Sequence, residues 1–211
     1  NPNGRLVRPR SPENVISELD YIYSFANPSR IFFGDEIFTV KKERIRLLCQ
    51  LLIEHGYPER FSWKCQTHVA CIDQDLAHLM KKSNCRTTGL GIESGSDNTL
   101  KSINKQITVK QIYKIVKSMK KHNFQATYNF IAGFPYETIA EYKKTLSLIY
   151  WMFTQSKHVV YPIPTPSFFC PLPGTIGYDQ AVLLGHKPPK KFTDWSNIDY
   201  NLEQMPWLAK D

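Results

Sequence analysis

Four short strings carry the side chains that could do chemistry: Gly34-Asp35-Glu36, Thr67-His68, Gly91-Ile92-Glu93-Ser94-Gly95-Ser96 and Gly133-Phe134-Pro135-Tyr136-Glu137. Their carboxylates can accept hydrogen bonds and pair with a cation. A histidine beside them can take or give a proton near neutral pH. The glycines let a ligand approach the backbone. Each string also has a plainer role. Asp35 and Glu36 can begin a solvated loop. Ser96 or Asp97 is a natural helix N-cap. Gly133-Phe134-Pro135 can be a tight turn, and a lone His68 is more often a satisfied histidine than a catalyst. Glu93 is the hardest to dismiss, because a carboxylate behind Gly89-Leu90-Gly91-Ile92 at a buried strand end needs a partner.

Metal chemistry has less support. The five cysteines, Cys49, Cys65, Cys71, Cys85 and Cys170, are widely spaced, with neither CxxC nor CxxxCxxC among them. No cluster loop or zinc knuckle is therefore encoded in these residues. An odd count, with Cys49 in an apolar helical run, suits buried thiols in a reducing cytoplasm better than a disulfide scaffold.

The elements that must position these strings announce themselves clearly. Ser11-Pro12-Glu13 reads as N-cap, proline at N1 and an acid in the first turn, followed by Val15, Ile16, Leu19, Ile22 and Tyr23 at helical spacing. Arg30-Ile31-Phe32-Phe33 reads as a buried strand. A helix through Ile45, Leu48, Cys49, Leu52 and Ile53 stops at Gly56. Ser62 to Thr67 is a strand, and Asp73 caps a short helix through Leu76, Leu79 and Met80. Arg86 to Ile92 is a glycine-interrupted strand. Thr108 to Gln111 and Thr138 to Glu141 are capping boxes, each opening a helix on either side of a strand from Phe124 to Ala132. Lys157 to Ile163 is the last strand. Strand centres thus recur about every 25–39 residues, the size of one βαβ unit.

Such alternation implies a parallel sheet with helices outside it. No GxGxxG string follows any strand, which lowers the dinucleotide-binding alternative. The expected fold is α/β: a partial (β/α)6 TIM-like barrel over residues 1–161, with its first strand missing because the chain opens on a helix. Active sites of such barrels are built at the C-terminal ends of the strands, where all four strings fall. From Pro162 the composition shifts, and eight of the 14 prolines lie between Pro162 and Pro206. Residues 162–211 read as a proline-rich extension containing Pro173-Gly174-Thr175, a short helix from Ile176 to Leu184, Trp195 and Trp207.

Composition bounds the rest. The 211 residues carry a formal charge of +8, with 42% hydrophobic and 13% aromatic content, enough for a core and too much for wholesale disorder. No window offers the ~18 uncharged apolar residues of a membrane span. Residues 1–5 have no apolar segment of a signal peptide and no initiator Met, so a fragment is expected. Lys110, Lys114, Lys117 and Lys121 share one helix face, most simply a solvated one.

Taken in order, these strings resemble the radical S-adenosylmethionine (SAM) superfamily, within it the cobalamin-binding branch that includes the anaerobic Mg-protoporphyrin ester cyclase type. The resemblance rests on Arg10-Ser11-Pro12-Glu13, Ile31-Phe32-Phe33-Gly34-Asp35-Glu36, Trp63-Lys64-Cys65-Gln66-Thr67, Gly89 to Ser96, Ile103-Asn104-Lys105 and Phe130 to Thr138. It implies a [4Fe-4S] cluster on a CxxxCxxC loop just upstream of Asn1, SAM bound to that cluster, and a cobalamin domain further upstream. By the same resemblance Gly34, Asp35 and Glu36 meet the SAM amino group. Glu93 and Ser94 meet the ribose or the methionyl part, and Gly133 and Phe134 meet adenine, with Ile131 assisting. His68 stands where relatives often have Arg, and Cys71 where they have Asp, so His68 is a weaker candidate for the SAM carboxylate. The resemblance names no catalytic side chain and no metal ligand in this stretch. The partners it implies are a small-molecule substrate and an electron donor such as flavodoxin or ferredoxin. Nucleic acid is not expected, because no basic patch interleaved with aromatics is visible. Two alternatives stand beside this reading: a barrel that has lost the cluster and only binds a ligand or partner, and an RNA-modifying relative suggested by the +8 charge.

Overall fold

The structure is a computed structural model describing residues 7–155, 160–162, 167–197 and 205–207. Helix α1 (Pro12–Phe25) starts as its sequence demands, with the Ser11 hydroxyl accepting from the Asn14 N–H. Strand β1 (Arg30–Phe33) leads to α2 (Lys42–Glu54), which ends before Gly56 in the left-handed conformation, φ 69°. Then come β2 (Ser62–Thr67), α3 (Gln74–Lys82), β3 (Cys85–Glu93), α4 (Asp97–Ser102), α5 (Val109–Lys121), β4 (Gln125–Ala132) and α6 (Ile139–Gln155). Strand β5 (Val160–Pro162), strand β6 (Ser167–Phe168) and α7 (Ile176–Leu183) complete the order. The expected ends of the last strand, 157–159 and 163, and the N-terminal residues 1–6 lie outside the described residues.

All strand pairs are parallel, in the order β1-β2-β3-β4-β5. Strand β6 returns to the same edge of β4 nearer its C-terminal end, pairing Ile131 with Ser167 and Ala132 with Phe168. The sheet curls into a half barrel with its helices outside. Period-2 alternation decides which side chains meet the helices. Trp63, Cys65, Leu90, Ile92, Tyr128 and Phe130 point outward into the core with Ile45, Leu48, Leu76, Ile112 and Met152. The opposite face, with Lys64, Gln66, Gly89, Gly91 and Asn129, is the concave inside.

Strand β1 differs from its sequence reading. It is not fully buried: Phe32 is 52% exposed, with the Lys64 ammonium 5.0 Å from its ring centre. Among the described residues β1 pairs only with β2, so one backbone edge and its concave face stay open. A run of apolar residues shows that a strand can be buried; whether a neighbour covers it is a tertiary fact.

The local start signals hold their geometry. Asp73 caps α3 through the Leu76 N–H, and Ser96 caps α4 through the Thr99 N–H. Both capping boxes form, Thr108 with Gln111 and Thr138 with Glu141. Asp97 instead accepts from the Val109 N–H at 2.7 Å, tying the start of α4 to the start of α5.

Candidate functional site at the strand ends

A cavity of about 500 Å³ opens at the C-terminal ends of β2, β3 and β4. On its lining the Lys105 ammonium donates to Glu93 Oε1 at 2.6 Å, both side chains less than one-fifth exposed. The backbone is forced here. Glu93 sits at φ 66°, where the β3–β4 register slips between Gly91 and Glu93. Lys105 is bracketed by Asn104 at φ 54° and Gln106 at φ 57°. Left-handed conformations cost non-glycine residues about 1 kcal/mol or more each and gather where a site over-determines them. Gly91 makes the room: a Cβ there would come 2.5 Å from Glu93 Oε1 and 3.0 Å from Lys105 Nζ.

His68 lines the same cavity. Its Nδ1 accepts from the Ala70 N–H at 3.2 Å, which leaves the neutral ring's proton on Nε2. Burial pushes its pKa below the ordinary imidazole value, and the Lys105 charge adds to that. Glu36, Ile131, Gln66, Asn129 and Ser167 also line the cavity. Gly34 and Asp35 stand exposed in the loop after β1, outside this lining.

The remaining sequence candidates lie behind the cavity rather than on it. Ser94 is fully buried; it accepts from the Ser96 N–H at 3.1 Å and shares a 3.1 Å contact with the Thr145 hydroxyl. It therefore fastens the end of β3 to α6. Gly133 and Phe134 are buried in the turn after β4. Gly133, at φ 79°, donates its N–H to Glu137 Oε2 at 3.0 Å, and its carbonyl accepts from the Trp207 indole N–H at 3.0 Å. Burial pushes the Glu137 carboxyl above its usual range, against the hydrogen bonds it accepts from Gly133 and Phe134.

Among the described residues no three His, Cys, Asp or Glu side chains could hold a metal ion. Cys49, Cys65 and Cys85 are packed in the core, and burial pushes the Cys49 thiol up to about 12 and raises the Cys85 thiol as well, away from the thiolate that a cluster needs. These side chains do not fit an iron–sulfur cluster. The cavity instead presents a carboxylate, Glu93, and an ammonium, Lys105, side by side on its lining.

Residues 2–149 match the radical SAM superfamily. The chain belongs to that superfamily. This radical SAM chain is 32% identical over 179 residues to an uncharacterized methyltransferase of Pyrococcus horikoshii, a match covering 85% of the chain and 37% of that protein. It is 25% identical to an anaerobic magnesium-protoporphyrin IX monomethyl ester cyclase of Cereibacter sphaeroides, over 70% of the chain and 24% of the relative. Its fold matches a radical SAM methyltransferase from Kitasatospora setae solved with cobalamin and a [4Fe-4S] cluster. The TM-score is 0.66 at 15% identity, covering 85% of the chain and 36% of that structure. The chain thus spans about a quarter to a third of the relatives it matches. The half barrel expected of a radical SAM core is present in its five-strand parallel order.

Sequence reasoning did not single out Lys105. It stands in the Ile103-Asn104-Lys105 string, 12 residues past Glu93, and only the two left-handed residues around it turn it back to the carboxylate.

Proposed function

We propose that this chain is the SAM-binding half barrel of a radical SAM enzyme that starts methyl-transfer or cyclisation chemistry on a small-molecule substrate. The observation that carries the reading is the Glu93–Lys105 pair in the cavity above Gly91. SAM carries an ammonium and a carboxylate on one carbon, and the pair offers a complementary charge to each. Glu36, also on the lining, supplies a second acceptor for the ammonium, and Gly34 and Asp35 precede it in the loop after β1. Glu93 also stands within reach of a ribose hydroxyl, and Ile131 gives the nucleoside an apolar side.

When bound, the cluster supplies the electron that converts SAM to a 5′-deoxyadenosyl radical. Its ligands, in this reading, come from outside the described residues. A cobalamin domain outside this chain and an acidic electron donor such as flavodoxin or ferredoxin complete the enzyme, and the cytoplasm is its compartment. No helix among the described residues is long and apolar enough to cross a membrane.

The test is anaerobic reconstitution of the intact protein followed by SAM and dithionite. Formation of 5′-deoxyadenosine supports the reading. No SAM binding and no 5′-deoxyadenosine from a protein loaded with four irons refutes it. The 211-residue chain by itself should take up far fewer than four irons.

A further inference from the structure

A second cavity, of about 700 Å³, is lined by the residues that lead into α3 and by one face of α5. It shares no residue with the strand-end cavity. The lysine face of α5 reads from its sequence as simply solvated. Lys114, Lys117 and Lys121 are indeed exposed, yet all three stand on this lining. Among the described residues none of the three holds an ion pair. Two carboxylates share the lining, and one of them is spent. Asp73 accepts from Arg46 at 2.9 and 3.0 Å, lies 3.3 Å from the Lys42 ammonium and caps the Leu76 N–H. Three uncommitted lysines therefore face one carboxylate, Asp75, that holds no ion pair among the described residues.

The rest of the lining is chemically different. Val69, Ile72 and Ile115 give it an apolar part. Ser118, only 8% exposed, also lines it, and its buried hydroxyl has no hydrogen-bond partner. A hydroxyl in that state costs stability until something bonds it. No aromatic ring is on the lining, so a base has nothing to stack on, which speaks against a nucleoside or a nucleic acid. Volume, an apolar part and a few convergent polar groups are what a small-molecule site needs, and the excess of cations sets the sign of its ligand.

We propose that this cavity is a second binding site, for a small organic anion with an apolar body. The body packs on Val69, Ile72 and Ile115. The head is held by Lys114, Lys117 and Lys121, and the Ser118 hydroxyl gains the partner it lacks. An alkyl phosphate and an alkyl carboxylate share this chemistry. The site does not depend on the SAM reading above.

The experiment titrates hexyl phosphate, hexanoate, hexanol and inorganic phosphate into the intact protein by calorimetry at low ionic strength, where exposed charges are least screened. One of the two amphipathic anions should bind about tenfold or more tightly than both hexanol and inorganic phosphate, and which one it is names the head group. Lys114→Gln, Lys117→Gln and Lys121→Gln combined should weaken that anion about tenfold and leave SAM binding unchanged. Ser118→Ala should weaken it about 3- to 10-fold, the worth of one hydrogen bond, and raise the melting temperature by removing an unpaired buried hydroxyl. Saturating SAM should leave the anion in place. Absence of binding, equal binding of the anions and hexanol, an unchanged affinity in the triple lysine variant, or displacement by SAM would each overturn the site. A Ser118→Ala protein that melts higher but binds as wild type does would overturn the role of Ser118.

Discussion

The ends of β3 and β4 lie side by side in one sheet, yet they are built in opposite ways. The β3 end is open and charged, with Glu93, Lys105 and His68 around a cavity and three left-handed residues holding them. The β4 end is closed and aromatic, with Phe134 packed on Phe169, Phe169 on Trp207, and the Gly133 N–H and carbonyl each holding one hydrogen bond. Strain sits where polar side chains must converge without burying an unpaired charge. Packing dominates where the polar groups are backbone and already paired.

The largest effect should come from two glycines four residues apart at the β3 end. A Cβ on Gly95 would lie 2.7 Å from the Lys144 carbonyl oxygen and from Thr145 Cα, backbone atoms of α6 that cannot step aside. Gly95→Ala should cost roughly 2–3 kcal/mol in urea denaturation, as overpacking does. A Cβ on Gly91 meets only the mobile tips of Glu93 and Lys105. Gly91→Ala should cost under ~1 kcal/mol of stability yet weaken SAM about tenfold or more, because it pries the pair apart. Equal stability losses in the two variants would show that the β3 rim is not an adaptable charged site but a packed one.

Next in size is the pair itself. Glu93→Ala and Lys105→Ala should each weaken SAM about tenfold, roughly 1.4 kcal/mol. The double variant should lose less than the sum, since each leaves the other charge unpaired. Equilibrium dialysis with labelled SAM reads this. Full additivity would mean that the two residues never act on one ligand.

Much of this architecture was legible because it is local. Proline at position 12, two capping boxes and the alternation of strand and helix lie within a few residues of what they control. The half barrel followed from their period. What stayed hidden is long-range. Lys105 meets Glu93 only through a loop whose left-handed residues, Asn104 and Gln106, carry no glycine to mark them. Trp207 was visible as an aromatic in a proline-rich tail, but nothing local says that it ends on Gly133. Phe32 reads as core from its type and stands half open because of what lies next to β1. Ser94 shows the same from the other side: a serine beside Glu93 whose hydroxyl turns inward to Thr145.

A smaller effect tests the closed rim through pH. Burial raises the Glu137 carboxyl above its unfolded value. Its contribution is therefore full below the unfolded carboxylate pKa and is lost as pH rises through the raised folded value. Glu137→Gln keeps an acceptor for the Gly133 N–H but removes the charge. Its stability relative to wild type should rise from pH 4 to pH 7, followed by thermal melts across that range. A constant difference between the two proteins would place the Glu137 carboxylate in water rather than in the turn.

The smallest expected effect is at His68, and it sharpens how far the open rim is charged. The ring has a cavity wall, a Lys105 cation nearby and an N–H donating into Nδ1. Burial first, then that cation, hold its pKa below the ordinary 6.5, and protonating Nδ1 would break the Ala70 bond. At pH 7 the ring is neutral and its N–H donates to the Lys105 backbone carbonyl, so a SAM carboxylate gains an ordinary hydrogen bond from it only by taking that donor. SAM affinity should therefore stay flat from pH 8 to about 6.5 and tighten, by about 2- to 5-fold, only below it, as imidazolium makes the bond charge-assisted. His68→Gln should remove that tightening. His68→Arg, cationic at every pH, should tighten SAM about 2- to 5-fold at pH 8 and leave the profile flat. Folding stability should move the other way. A histidine whose folded pKa is lowered costs stability as pH falls below its unfolded value, so His68→Gln should resist acid better than wild type. The two readouts separate ligand from scaffold. A changed stability profile with an unchanged SAM profile would leave His68 as a buried ring that holds the Ala70 turn, and Lys105 would then stand as the cation for the SAM carboxylate.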